Sequence, residues 1–435
     1  MTEPTAMQDL SQTEIVKVAF ASAVGTTVEW YDFFIYGTAA ALVFNRQFFP
    51  EIDPLMGTLA AFATFGVGFF ARPVGGVIFG HYGDRIGRKR MLVLSLLIMG
   101  VATFLIGFLP GYDRIGIWAP VLLVLLRLLQ GFGVGGEWGG AVLMAVEHSP
   151  RAQRGFFGSW PQIGVPAGLL LATAVFAVFS ALPDEAFRAW GWRVPFLLSI
   201  VLVVVGLFIR LRIVESPAFL ALQRRGGEAR MPIVEVVREQ PRPVLIAMGL
   251  RVAENGAFYV FSVFVLTYIT EQLELPRSVA LTGVLIAAAV ELFTIPAFAA
   301  LSDRVGRRPV YLAGALLSLA FAFPFFWLMD TRSPVLIVLA IVVSLAVGHA
   351  AMYGPQAAFF SELFSTRVRY SGASLGYQLA SVFAGGLSPF IATALLAWQH
   401  GDPWAVATYM AVMAFVTAIA VLVAKETHRA EIFDP

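Results

Sequence analysis

The chain of 435 residues contains no cysteine. That removes disulfides, thiolate metal sites and cysteine nucleophiles, while leaving the redox compartment open. Charge is scarce too: Asp, Glu, Lys and Arg make up 13% of the residues, against roughly 25% in soluble domains. Thirty basic and 28 acidic residues leave a formal +2, too little for a basic face that would hold nucleic acid. The five histidines form neither an HExxH pair nor a cluster with metal-ligand spacing, so no metal and no other cofactor is expected. A membrane enzyme or receptor would need such a constellation or a soluble domain, and the largest polar stretch is the linker 213–243.

Apolar residues are what the chain has in abundance. At 58% of the total and a mean hydropathy of +0.78, they exclude a water-soluble globule. They gather into twelve blocks, at 18–43, 57–81, 91–110, 118–146, 155–181, 193–212, 244–271, 279–301, 309–329, 334–361, 370–397 and 403–424. Each is long enough as a helix to cross about 30 Å of hydrocarbon, and the runs are continuous rather than alternating, which excludes a β-barrel. The expected fold is an all-α membrane protein with twelve transmembrane helices in the lipid bilayer. Residues 1–17 lack a short apolar core followed by a cleavage site, so the first helix is expected to be retained. Of the thirty Lys and Arg, 21 fall on the side of the N-terminus, six on the opposite side, and Arg72, Arg127 and Arg251 inside the blocks. The positive-inside rule then places both termini and the linker in the cytoplasm, with the chain in the cytoplasmic (inner) membrane.

The text repeats. GHYGDRIGRKR, Gly80 to Arg90, returns as LSDRVGRRP, Leu301 to Pro309, with Asp84 and Asp303 219 positions apart. Glu147 precedes Arg154 by seven and Glu362 precedes Arg369 by seven, the glutamates 215 apart; Glu215 and Glu426 are 211 apart. Offsets this similar predict a tail 1–17, a six-helix half 18–212, a linker 213–243, a second half 244–424 and a tail 425–435, with a site at midplane between halves.

The D-R-x-G-R-[RK] loops resemble the signature of the major facilitator superfamily, over essentially the whole chain. GTTVEWYDFFIYG, FARPVGG, RLLQGFGVGGEWGG, ESPAF and ELFSTRVRYSGASLGYQLAS resemble its metabolite:proton symporter branch. MGTLAAFATFGVGF, GLRVAEN and the helix 10 histidine look closest to its shikimate transporters. The resemblance implies a monomeric transporter of a small organic acid working by alternating access, with protons as coupling ion.

Eight ionisable residues lie deep in the blocks: Glu29, Asp32, Arg72, Arg127, Glu137, Arg251, Glu254 and Glu291. At about 2.5–3.5 kcal/mol each at the bilayer centre, they are too costly to face lipid; they face a polar cavity or one another. Glu29 and Asp32 share a helical face roughly 17–21 Å into the membrane at about 1.5 Å per residue. In low dielectric one of two such carboxylates tends to hold a proton. Both match helix 1 acids, and Arg127 a helix 4 arginine, that the family associates with proton coupling, which makes Glu29 and Asp32 the expected proton site with Arg127 as its switch. Arg72, Arg251, Glu254, Glu291 and His349 are the candidates for substrate contact, since a guanidinium fork suits a carboxylate. Tyr36, Gln130, Trp160, Gln162, Tyr259, Gln356 and Tyr377 are neutral hydrogen-bonders for hydroxyl groups, with helix–helix bonding as the alternative; Gln162 matches a substrate-contacting position of related sugar carriers. Gly131, Gly135 and Gly139 recur at spacing four, which suits close helix packing. Gly131 to Gly136 also fits GxGxxG and Gly372 to Gly376 the shape of a nucleophile elbow, but neither is preceded by a strand.

Gly80, Asp84, Arg85, Arg88 and Glu147 with Arg154, together with Asp303, Arg304, Arg307, Arg308 and Glu362 with Arg369, lie at helix ends expected to face the cytoplasm. In the superfamily such clusters hold that side shut. The sequence therefore reads as a proton-coupled symporter importing a small polar organic acid, with a facilitator, a proton-driven exporter or a betaine-type zwitterion symporter as alternatives.

Overall fold

The computed structural model describes residues 12–86, 88–135, 138–147, 149–212, 236, 238–364 and 369–429, nearly all helical. Each of the twelve apolar blocks lies in a helix. These are α1 Gln12–Ala39, α2 Pro54–Ile86, α3 Arg88–Phe108, α4 Trp118–Val134 resumed as Trp138–Glu147, α5 Arg154–Ser180 and α6 Val194–Arg212. The second six are α7 Pro241–Gln272, α8 Arg277–Val305, α9 Arg307–Asp330, α10 Pro334–Leu363, α11 Arg369–Ala380 running on to Trp398, and α12 Trp404–Val423. Among the described residues nine helices are both long and apolar enough to span a membrane by that measure alone. The other three are α1, which carries Glu29 and Asp32, and α3 and α4, whose uninterrupted apolar stretches are short.

Helices run past the apolar blocks into the charged loops, because backbone polar groups in or near hydrocarbon are best satisfied within the segment itself. Prolines inside α2, α5, α8, α9 and α10 do not end them. Wider π turns at Ala40–Phe44, Val260–Phe264, Val343–His349 and Ser381–Gly386 absorb one extra residue each.

Within the first six helices α1 packs along α5, α2 along α4 and α3 along α6; in the second six α7 packs on α11 and α12, and α9 on α12. The two sets meet where α5 lies along α8 and α10, and where α11 crosses α2 and α4. Glycine makes one of these approaches possible: a Cβ on Gly131 of α4 would strike the carbonyl of Gly68 in α2, and one on Gly135 the carbonyl of Arg72. Gly131 of the GxGxxG string is thus helix–helix packing surface, and Ser374 sits within α11.

Candidate transport site

A small cavity lies between the two sets of helices, walled by Glu29 and Trp30 of α1, Arg72 of α2, Trp138 of α4, and Tyr377 and Gln378 of α11. Arg72 is 2% exposed. Its guanidinium lies 4.3 Å from the ring centre of Phe69, 4.5 Å from Phe33 and 5.5 Å from Trp30, its Nε has no hydrogen-bond partner, and no described carboxylate comes within ion-pair distance. Aromatic faces offset part of the desolvation of a buried cation, each contributing about 0.5–2 kcal/mol, while the burial itself costs several. Among the described residues Arg72 is therefore a buried guanidinium that no carboxylate pairs with directly, Glu29 standing on the same cavity wall beyond ion-pair distance.

Glu29 is buried on the cavity wall. Asp32, one turn on, points into the first bundle, fully buried. The nearby Thr103 hydroxyl donates to the Met99 carbonyl (2.9 Å) and accepts from Gln130 (2.8 Å), so neither Asp32 carboxylate oxygen receives a hydrogen bond. Arg127 is not ion-paired with either acid. It donates to the Phe65 carbonyl (3.3 Å) and to Gln130, and lies 4.3–4.9 Å from the rings of Tyr36, Phe33 and Phe65. Gln130 closes the link by donating to the backbone carbonyl of Asp32 (3.1 Å).

The second six helices hold a separate network. Arg251 pairs with Glu254, donates to Ser381 and Gln356 (3.0 Å each), and lies 3.3 Å above the ring of Tyr377. Gln356 donates to Glu254 (2.9 Å) and to Tyr311 (3.0 Å). His349 bridges Glu291 (2.5 Å) and Glu254 (3.2 Å). Arg251, Glu254, Glu291, His349 and Gln356 are thus brought together, but none of them lines the cavity. Tyr377 connects the two places, since its ring stacks on Trp138 at 3.7 Å and carries Arg251 on the other side of the cavity wall.

The neutral candidates divide. Gln162 spans the two sets of helices, donating to the Tyr353 carbonyl (2.6 Å) and accepting from Trp138 (3.2 Å). Tyr259 is buried with its hydroxyl unpartnered, against the rings of Phe33 and Phe69. Tyr36 donates to Thr64 (2.7 Å) within the first bundle, and Trp160 packs on Phe156 and Phe157, away from the cavity. Sequence reasoning did not single out Trp138, Gln378 or Asn255, whose buried Oδ1 is unpartnered beside Gly385. The only hint of Gln378 in the sequence is its place next to Tyr377.

At the helix ends expected to face the cytoplasm, Asp303 of α8 accepts the backbone N–H groups of Gly155 (2.8 Å) and Phe156 (2.9 Å), capping α5. Arg307 pairs with Asp303 (2.6 Å) and Glu362 (3.1 Å). Glu426 caps α9 from the C-terminal segment, accepting from the backbone of Arg307 (2.9 Å) and Arg308 (3.0 Å). Burial pushes the Glu426 carboxyl up, but backbone donors from Arg307, Arg308, His428 and Thr427 outweigh it and hold it below the usual carboxylate range. Arg308 donates to the carbonyls of Val421 and Leu422, Arg304 is exposed, and Arg154 is buried at the start of α5. Gly80, Asp84, Arg85, Arg88, Glu137, Glu147 and Arg369 lie outside the described residues as far as their side chains are concerned.

Comparison with known proteins adds four findings. The model of the family "Sugar (and other) transporter" matches residues 18–241 and 231–433. The chain is 46% identical to the shikimate transporter of Escherichia coli K12 over 97% of each chain. It is 37% identical to the proline/betaine transporter of the same strain, over 94% of this chain and 83% of that one. Among solved structures it is similar to the proton:xylose symporter XylE bound to 6-bromo-6-deoxy-D-glucose, with a TM-score of 0.75 and 16% identity over 95% of this chain and 96% of that one.

Proposed function

Because the chain belongs to the sugar (and other) transporter family of the major facilitator superfamily, and is a multi-pass membrane transporter of small molecules rather than an enzyme, we propose that it imports a small polar organic acid of the shikimate type together with protons. The observation that carries this reading is Arg72: a buried cation without an ion-pair partner among the described residues, on the wall of a cavity between the two sets of helices. An anionic substrate supplies the missing charge, and a planar guanidinium fits a carboxylate with two parallel hydrogen bonds. Trp138, Tyr377 and Gln378 offer stacking and hydrogen-bonding partners for a hydroxylated ring, and Tyr259 an unpartnered hydroxyl close by.

Glu29 and Asp32 take the role of proton carriers, one on the cavity wall and one behind it. Arg127 acts on Asp32 through Gln130. No cofactor other than the coupling proton enters this reading. The halves 18–212 and 244–424 rock about the cavity as a monomer in the inner membrane, with both termini and the 213–243 linker cytoplasmic. The charged cluster around Asp303, Arg307 and Glu362 is the cytoplasmic latch.

One observation favours a second reading. Glu29, Trp30, Trp138 and Tyr377 share the cavity, and an acid with aromatic walls also suits the quaternary ammonium of a betaine-like zwitterion. The test is uptake by the purified chain in proteoliposomes with acid outside. Labelled shikimate accumulates above its external concentration, an uncoupler abolishes this, and quinate competes better than dicarboxylates, aromatic acids or betaine. Uptake that only equilibrates would make the chain a facilitator, and competition by betaine alone would favour the zwitterion.

A further inference from the structure

Two acids and an imidazole sit together in the apolar interior of α7, α8 and α10, and their charges do not balance. Glu254 is compensated by Arg251, but among the described residues Glu291 has no cation other than the His349 ring, whose Nδ1 lies 2.5 Å from its Oε1. The second oxygen of Glu291, fully buried, receives no hydrogen bond at all. The other ring nitrogen of His349 lies 3.2 Å from Glu254, and Phe258 and Tyr353 close over the imidazole at 4.6 Å and 5.0 Å. With both acids ionised and the imidazole neutral, the cluster carries one uncompensated negative charge; one bound proton makes it neutral. In a low-dielectric interior that difference fixes how many protons the group holds.

The groups facing the cluster are few. Arg251 and Tyr259 come from α7 itself, Tyr311 from α9 through Gln356, Tyr353 from α10 and Tyr377 from α11. Residues 155–180 of α5 bring no acid or base, and α12 brings only Tyr409, which meets Ser388 instead. None of the three cluster residues lines the cavity. Arg251 does reach toward it, because it lies on the ring of the cavity residue Tyr377 while holding Glu254.

We propose that Glu291, His349 and Glu254 form a proton site in the second six helices, loaded and emptied once per transport cycle, with Arg251 as its link to the substrate cavity. This rests on the proton-symport reading given above. The proton comes from water on the outward side and binds between His349 Nδ1 and Glu291 Oε1; it leaves to water on the inward side, and no other bond changes. A substrate carboxylate held by Arg72 in the cavity also attracts Arg251 across the ring of Tyr377 and draws its guanidinium away from Glu254. Glu254 then lacks its cation, and the cluster grips the proton harder. When the substrate leaves, Arg251 returns to Glu254, the grip weakens and the proton follows. Proton and anion are thereby carried together.

The test compares pH-gradient-driven accumulation of labelled shikimate with shikimate counterflow, which needs no net proton movement, for the intact wild-type chain, Glu291→Gln and His349→Asn in proteoliposomes. In both variants accumulation falls at least tenfold while counterflow falls less than threefold. Variants that accumulate like the wild type would overturn the proposal and leave the symport reading standing. A wild-type chain that fails to accumulate would overturn that reading, and the proposal with it. If the variants lose counterflow as well, nitrogen-15 NMR of a chain whose other four histidines are replaced decides. The His349 titration midpoint then rises by about one pH unit or more with shikimate bound; an unmoved midpoint refutes the coupling.

Discussion

At the scale of the residue, two arginines with the same burial live under opposite conditions. Arg251 is ion-paired and hydrogen-bonded on several sides, whereas Arg72 rests on aromatic faces. The internal repeat sharpens the contrast. Asp32 and Arg251 are 219 positions apart, and so are Arg72 and Glu291, the same offset that relates Asp84 and Asp303. Where one half has an acid in its first helix and a base in its second, the other half has the reverse. The cavity at Arg72 and the Glu291 cluster are thus unlike solutions at equivalent places. A consequence follows for stability. Removing Arg72 breaks no ion pair among the described residues and relieves the desolvation cost of a buried cation, which offsets the loss of its more distant attraction to Glu29. Arg72→Met is therefore expected to melt no lower than the wild type in detergent while losing saturable shikimate uptake. Arg72→Lys, which keeps the charge but loses the fork and the stacking, raises KM about tenfold, or about 1.4 kcal/mol. A melting temperature that drops by several degrees in Arg72→Met would mean that the guanidinium holds the fold rather than the substrate.

At the scale of the element, the crossing of α2 and α4 sets where Arg72 can be. Gly131 and Gly135 let the α4 backbone rest on the carbonyls of Gly68 and Arg72, and backbone cannot yield as a side-chain tip can. Gly131→Ala is expected to destabilise by about 1–3 kcal/mol as an overpacking change, and to reduce transport by displacing α2. Gly206→Ala, whose new Cβ meets only the tips of Leu96 and Val28 at 3.1 Å and beyond, costs well under half of that. Thermal unfolding followed by tryptophan fluorescence separates the two, and equal losses would remove the crossing from this account. Such packing also marks how far the sequence could be read. All twelve blocks were legible because hydrocarbon demands continuous apolar helices, and the paired loops gave away the repeat. Arg72, Tyr377 and Glu29 were legible as deep polar residues. Trp138 and Asn255 were not, because nothing in the chain announces which residue of another helix they meet. For the same reason Tyr36 and Trp160 looked equivalent to Gln162, although only Gln162 reaches across to the other set of helices.

At the scale of the whole molecule, α5 and α8 are tied at both ends. On one side Arg277 donates to Asp184 (2.8 Å) and to the carbonyl of Ser180 (2.6 Å). On the other, Asp303 caps α5 and is itself held by Arg307, which Glu362 steadies from α10. The two ties differ in kind. The first is exposed and therefore weak, about 0–1 kcal/mol for an ion pair in water. The second is buried and includes a helix N-terminus, where an anion satisfies backbone donors that the helix leaves open. On the orientation and rocking motion proposed above, opening toward the cytoplasm breaks the stronger tie, so weakening it shifts the resting state. The absence of cysteine makes this directly measurable, since any introduced thiol is the only one in the chain. Ala299 is buried in α8, and its carbonyl lies against Gly155 of α5. In an otherwise wild-type chain Ala299→Cys is expected to resist maleimide. With Asp303→Ala added, labelling speeds up at least tenfold, because a lost cap costs about 0.5–2 kcal/mol and a broken buried pair about 3–5 kcal/mol. Accumulation falls at the same time, since a cytoplasmic side that no longer closes lets substrate leak back. If Ala299→Cys reacts equally slowly with and without Asp303, the cap belongs to the static scaffold, and the barrier to inward opening lies elsewhere between the halves.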